Sequence, residues 1–482
     1  MSIKDQALSG VFWSSLQQFG TQAISIIVSI ILARLLAPAE FGIIGMISVF
    51  IGIGAILVDS GLSQSLVRTE NPTQEDFSTI FYFNLVGSVF IYLIFFAAAP
   101  FIADFYRQDS LILFVRSYCL VFVINAFSNV QYTRLSKKMD FKTEMLIAIP
   151  SLIISSIVGI SMAILGYGVW SLIVSAIVQS LVSSIQLWFR STWRPSFIFK
   201  KKSFKNHFNF GYKLTLSGIL DSIFSNLYVI IIGRLFPPAQ LGFYNRADSL
   251  KQLPVANVSS IVNKVTFPLF AQIQNDDIQL KAVYKKIMQM IIFIIAPVLF
   301  FMAVLGEPLF RFLFTEKWLP AVPYFQILCL NGILYPIHSY NLNILKVKGR
   351  SDLFLKLEIF KKILLAIIIS IAYQFDIYGL LFSSVLFSIL AFFINSYYTG
   401  KYLKYPALQQ LQDLLPTILL SVIASFIVFL LYYFLKNIIR YDIINLIVCS
   451  IVGLLFYTII CQLSKINALF EVINIIKNRK FQ

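Results

Sequence analysis

The sequence predicts an all-α polytopic membrane protein of about 14 transmembrane helices, in two six-helix lobes followed by two extra C-terminal helices. Three observations predict it. The 482 residues are 58% hydrophobic and only 13% charged. Apolar runs such as AISIIVSIILA (23–33), IYLIFFAAA (91–99) and IIFIIAPVLFFMAVL (291–305) recur along the chain, each within a stretch of the roughly 20 residues that cross a bilayer. The punctuation ARLLAPAEFG (33–42) recurs as GRLFPPAQLG (233–242), with Arg, Leu, Pro, Ala and Gly kept in place. A water-soluble fold of this composition would expose far too much apolar surface.

Taken in order, the predicted spans are 11–33, 41–65, 79–102, 110–130, 144–165, 168–189, 211–233, 247–270, 285–306, 322–345, 356–374, 377–400, 411–435 and 443–464. The eighth is polar, and the fourth and tenth are less apolar than their neighbours. The two motif copies close the first and seventh spans, where Pro and Gly end a helix and turn the chain. Six spans separate the copies, so both face the same side of the membrane. That is a parallel repeat, related by a pseudo-twofold axis along the membrane normal. It divides the chain into an N-lobe (1–200, helices 1–6), a C-lobe (201–400, helices 7–12) and a final segment (401–482, helices 13–14 with a C-terminal tail).

The net charge of +17 suggests nucleic acid as a partner, but its placement argues against that. With a cytoplasmic N-terminus, most Lys and Arg fall in cytoplasmic segments, as the positive-inside bias requires. The densest are RLSKKMDFK (134–142), FKKKSFK (199–205) and KVKGRSDLFLKLEIFKK (346–362). Membrane lipid headgroups are the expected partners of these loops. An even number of spans puts the C-terminus on the same side.

Absences narrow the function. No GxxxxGK[ST] loop is present to cradle ATP phosphates. Cys119, Cys329, Cys449 and Cys461 form no CxxC pair and are read as small packing residues. His207 and His338 lack partners at ligand spacing and are read as structural. No metal, cofactor or catalytic residue is implied. A repeated, two-lobed membrane protein without a nucleotide site has the build of a secondary transporter, with its site between the lobes.

Helices lining a wet cavity carry polar stripes that lipid-facing helices have no use for. Span one offers Ser14, Gln18, Thr21, Ser25 and Ser29. Span two offers Ser48, Gly52, Ala55, Asp59 and Ser63. Span seven offers Gly218, Asp221, Ser225 and Tyr228, and span eight Arg246, Asn257, Ser260 and Lys264. Each set shares one helical face. An ionised side chain at mid-bilayer costs about 2.5–3.5 kcal/mol, so each charge there needs a reason. Arg34, Arg116, Arg246, Lys251 and Lys264, with Asn257 and Gln18, are the candidate substrate contacts. They would make the cavity electropositive and suited to an anionic headgroup. Asp59 and Asp221 are the candidate ion-coupling groups. Pro254, Pro268 and Pro336 are candidate bend points.

Residues 33–68 (ARLLAPAEFGIIGMISVFIGIGAILVDSGLSQSLVR) and 233–274 resemble the first-hairpin signature of Wzx-type lipopolysaccharide and polysaccharide flippases. EKWLPAVPYFQILCL (316–330) and LKVKGRSDLFLKLEIFKK (345–362) are similar to the WzxC-like branch of the same group. That group belongs to the superfamily of multidrug, oligosaccharidyl-lipid and polysaccharide exporters. The resemblance implies that undecaprenyl-diphosphate-linked oligosaccharide passes from the cytoplasmic to the periplasmic leaflet of the bacterial inner membrane by alternating access. It also implies cationic cavity residues on the diphosphate, and one basic loop as a place of transient contact with polysaccharide polymerase machinery. Three alternatives stand beside it. A multidrug or cation antiporter of the same superfamily would need an acidic, aromatic cavity. A membrane-embedded glycosyltransferase or polymerase would need a large outer loop and a carboxylate pair, and NDD (275–277) is the nearest approach to one. A scaffold would need no polar stripes.

Overall fold

A computed structural model describes residues 3–479 of the chain. Residues 1–2 and 480–482, at the termini assigned above to the cytoplasmic side, lie outside the described residues. The fold is helical, and no β-strand occurs among the described residues. Internal packing divides the chain into two compact units, residues 1–242 and 243–482.

In the first unit, α1 (Ile3–Leu35) and α2 (Pro38–Asp59) flank the first motif copy, and a short α3 (Leu62–Arg68) follows. Then come α4 (Gln74–Tyr106), α5 (Leu111–Tyr118), α6 (Leu120–Lys137), α7 (Phe141–Ile164) and α8 (Val169–Arg190). The unit ends with α9 (Lys201–Ser225), α10 (Leu227–Leu235) and the first turn of α11 (Pro238–Gln272). The second unit holds the rest of α11, α12 (Asp277–Val304), α13 (Gly306–Phe314), α14 (Val322–Val347) and α15 (Ser351–Ala372). It is completed by α16 (Asp376–Leu403), α17 (Ala407–Leu435), α18 (Asp442–Leu463) and α19 (Asn467–Arg479).

All fourteen predicted windows lie on helices. Among the described residues, ten helical stretches are long and apolar enough to span a membrane, and the pair α9–α10, bent by 48°, makes eleven. One of the ten, Ser351–Leu403, is in fact two helices, α15 and α16, divided by a short turn at Tyr373–Phe375. The polar α11 and α14 fall outside the apolar set. The sequence repeat divides the chain near residue 200, whereas packing divides it at 242, because α9 and α10 lie against α2, α3 and α4.

Local chemistry sets the helix ends. Pro38 opens α2, and the Glu40 carboxylate accepts from the Ala37 N–H at 2.6 Å. Thr73 and Asp76 make a fully reciprocal cap on α4, with 2.8 Å from the Thr73 N–H to the carboxylate and 3.3 Å from the Asp76 N–H to the Thr73 hydroxyl. Asp140 caps α7 and Asp276 caps α12. Between α2 and α3 the chain breaks on two successive left-handed residues, Ser60 (φ 47°) and Gly61 (φ 65°). At the α9–α10 bend, the Asn226 amide donates to the Ser222 carbonyl at 2.8 Å, in competition with the helical ladder.

The two motif copies meet. A β-carbon on Gly42 would stand 1.8 Å from the Pro238 carbonyl oxygen, and one on Gly242 would stand 1.9 Å from that of Pro38. Each glycine thus admits the backbone of the other copy's proline. A second backbone contact joins the α2–α3 break to α9, where a β-carbon on Gly211 would lie 2.3 Å from the Ser60 carbonyl.

Packing within each unit is apolar. Leu62, Leu66, Ile80, Phe81, Val130 and Trp193 form a buried cluster joining α3, α4 and α6 in the first unit. Phe293, Phe301, Val428, Cys449, Tyr457 and Cys461 do the same for α12, α17 and α18 in the second. All four cysteines are free and buried. Large apolar side chains such as Phe90, Phe101 and Leu463 stand exposed, as lipid-facing helices require.

Candidate functional site

A polar cavity of about 590 Å³ lies in the first unit, walled by α2, α3 and α6. The wall arises from two amphipathic helices. α3 turns Leu62 and Leu66 into the apolar cluster and leaves Ser63, Gln64, Val67 and Arg68 on the cavity side. α6 buries Ala126 and Val130 and presents Asn125, Asn129, Tyr132 and Ser136, spaced by four, three and four residues. Ala55, Val58 and Phe122 supply the apolar end. Asp59, at the last position of α2, is half-buried on the cavity wall and accepts from the Ser63 hydroxyl.

The cavity is held by its surroundings. Lys137, at the foot of α6, donates to the Val67 carbonyl at 3.1 Å and to that of Thr69, which ties down the last turn of α3. Arg68 lies 4.8 Å above the Phe210 ring of α9. His207 of α9 shares a 2.8 Å hydrogen bond with Ser65 of α3 and stands 3.7 Å from Asp76 of α4. Asp76 also accepts from Ser203, and Lys200 pairs with Glu75. The start of α9 is therefore clasped to α3 and α4 beside the cavity, and His207 serves in that clasp.

Of the residues singled out from sequence, Ala55, Asp59 and Ser63 of the span-two stripe line this cavity. Gln18 is exposed on α1, and its carbonyl accepts from Thr21 at 3.2 Å. Arg34 is exposed at the end of α1, and Asp221 is exposed on α9. Arg116 lies on α5, where it donates to the Phe96 carbonyl at 3.2 Å and stacks 4.1 Å over the Phe96 ring.

In the second unit, Arg246 is buried, 5.0 Å from the Phe314 ring and 5.4 Å from that of Trp318. Lys251 is also buried and pairs with Asp248 at 2.6 Å. The Asn257 amide donates to its own helix, at the Leu253 carbonyl, over 2.9 Å. Lys264 stands exposed on α11. His338 meets Ser388 at 2.9 Å inside the helix pack.

Sequence reasoning missed Arg68, Gln64, Asn125, Asn129 and Tyr132. The fourth span was read through its single charge, Arg116, and the uncharged stripe behind it was passed over. Its spacing alone would have found it.

The described residues thus form an all-α, multi-pass chain with a cavity lined by polar side chains among apolar helices. The chain belongs to the family described as polysaccharide biosynthesis protein, whose profile matches residues 31–323. It is 27% identical to the teichuronic acid biosynthesis protein TuaB of Bacillus subtilis over 359 residues, 73% of each chain. It is 24% identical to the lipopolysaccharide biosynthesis protein WzxC of Escherichia coli over 405 residues, 82% of each chain. Its fold is similar to that of the lipid II flippase MurJ in an inward closed conformation, at a TM-score of 0.71 and 12% identity, covering 93% of this chain and 98% of that one.

Proposed function

We propose that this protein flips a polyprenyl-diphosphate-linked oligosaccharide across the bacterial inner membrane by alternating access, with both termini cytoplasmic. The observation that carries the reading is the polar cavity beside α3 in a chain of this family. A sugar-phosphate head crossing hydrocarbon would leave its hydroxyls without partners, at several kcal/mol for each group. A wet cavity supplies those partners while the polyprenyl tail stays in lipid. Arg68 is the only Lys or Arg among the described lining residues, so it is the proposed contact for the diphosphate here. Lys264, exposed on α11, is the proposed contact on the second unit. Arg246 and Lys251, held by aromatic rings and by Asp248, act in this reading mainly as supports. Rocking of the two sequence repeats would expose the site to alternate sides.

Deleting the gene from its own cell tests this. The deletion should accumulate lipid-linked oligosaccharide on the inner leaflet. Wild type should clear it, and Arg68→Ala should not. Lipid-linked pools that stay unchanged in the deletion would sink the proposal.

A further inference from the structure

The cavity beside α3 carries more hydrogen-bonding capacity than the protein uses. Asn125 and Asn129 sit one turn apart on α6, and Tyr132 follows at the next turn. Nearby hydroxyls reach only the backbone of the two asparagines: Ser128 donates to the Asn125 carbonyl at 2.9 Å and Thr133 to that of Asn129 at 2.8 Å. Neither side-chain amide, nor that of Gln64 on α3, has a hydrogen-bond partner among the described residues. Asp59 receives Ser63 on one carboxylate oxygen, and its other oxygen has no partner among them.

The chemistry of this set is informative. A diphosphate offers only acceptors and favours cations. A carboxylate and three neutral amides suit it poorly. A sugar hydroxyl both donates and accepts, and so does a primary amide, while a carboxylate accepts from two hydroxyls at once. Ala55, exposed on α2, lies at the apolar end of the wall, with Phe122 buried behind it. A volume of about 590 Å³ is ample for a sugar ring and lies in the usual range for small-molecule sites.

We propose that Asn125 and Asn129 of α6, with Gln64 and Asp59, are the sugar-reading wall of the transport site, beside Tyr132, whose hydroxyl is already bonded to Ser183. They bind hydroxyls of the saccharide next to the lipid anchor and leave Arg68 for the anchor's anionic group. Asp59 is then a sugar ligand, not the ion-coupling group. This rests on the flippase reading above.

The test uses full-length protein in proteoliposomes and two probes. One is the lipid-linked oligosaccharide extracted from the deletion cell; the other is the same polyprenyl diphosphate without sugar. In the variant Asn125→Leu/Asn129→Leu, flipping of the sugar-bearing probe should fall on the order of tenfold for each amide lost. The bare anchor should move at the wild-type rate. Asp59→Asn replaces one hydroxyl-accepting oxygen with a donor, so it should slow the sugar-bearing probe more than the bare anchor and keep the wild-type response to an imposed ion gradient. If the leucine pair fails to fold, Asn125→Ala and Asn129→Ala carry the same expectation singly. Equal slowing of both probes, or Asp59→Asn transport that ignores the gradient, would overturn the inference and leave the flippase reading standing. A deletion cell that yields no lipid-linked oligosaccharide would overturn both.

Discussion

The same ten-residue motif opens two helices that end differently. α2 runs for 22 residues and breaks at Ser60 and Gly61, both left-handed. α11 runs for 35 residues through Pro254 and Pro268 without a break. At the same 200-residue offset, Ser60–Gly61 corresponds to Ser260–Ile261, and Arg68 corresponds to Pro268. A β-branched isoleucine resists positive φ, so the second copy stays helical where the first turns. The consequence is chemical. Beyond the break, α3 faces a polar cavity of about 590 Å³. The matching stretch of α11 presents Val258, Ile261, Val262, Val265 and Leu269 to an apolar groove of about 490 Å³ against α12. The motif sets where a helix begins, and the residues at 60–61 and 260–261 mark where one copy breaks and the other continues.

Giving the first copy the second copy's residue should have the largest effect. Gly61→Ile places a branched side chain at a φ of 65°, where even a β-carbon would lie 2.6 Å from the Gly211 carbonyl. Left-handed strain of about 1–2 kcal/mol adds to overpacking of about 1–3 kcal/mol or more. We expect a drop in melting temperature and loss of transport. A well-folded, active Gly61→Ile protein would mean that the break does not shape the cavity.

The contact between the copies comes next. Gly42→Ala and Gly242→Ala each push a methyl group onto a backbone carbonyl, at 1.8 and 1.9 Å. A carbonyl cannot swing aside as a side chain can, so each should cost about 2–3 kcal/mol. The two losses should be nearly equal, because the contacts mirror each other. A large loss in one and none in the other, measured by thermal unfolding in detergent, would break the symmetry argued here.

The arginines sharpen the contrast further. Arg246 is buried against Phe314 and Trp318, so Arg246→Ala leaves a cavity and removes two ring contacts, at about 2 kcal/mol. Arg68 is exposed over Phe210, so Arg68→Ala should change stability by under about 1 kcal/mol while transport falls at least about tenfold. Arg246, four residues past the second copy, supports the fold, and Arg68, past the first copy, is the one proposed to serve the cavity. Stability and flipping assays on the same two variants check both halves.

Much of this was legible in the sequence, and the rest was hidden for physical reasons. All fourteen windows chosen by hydropathy and length fall on helices, though α13 and α19 had no window, and the polarity of the eighth and the weakness of the tenth were already visible. The motif was found as a repeat, but nothing in a linear pattern says that Gly42 meets Pro238. Asp59 stood out because a charge in an apolar run is expensive. Asn125 and Asn129 did not, because an amide costs far less to insert and so attracts less notice. The fate of Arg246 depended on Phe314 and Trp318, which reach it only through the fold. A cation in a span is visible from its neighbours in sequence; whether it binds a ligand or a ring is not.

Asn257 carries the smallest expected effect and the most direct test of the dry reading of α11. In sequence it belongs to the same polar stripe as Arg246 and Lys264, which suggests a ligand contact. In the fold its amide donates at 2.9 Å to the Leu253 carbonyl, one turn back on its own helix. Such back-bonding satisfies the amide locally and adds little to the helix, since that carbonyl already accepts from the backbone. Asn257→Ala should therefore change stability by under about 0.5 kcal/mol and leave flipping within a factor of about two. Asn129→Ala on α6, whose amide has no partner to lose among the described residues, should instead slow the sugar-bearing probe about tenfold. If Asn257→Ala were the more damaging of the two, the second copy would be the wet one, because an amide that matters to transport must leave its own helix to reach the substrate.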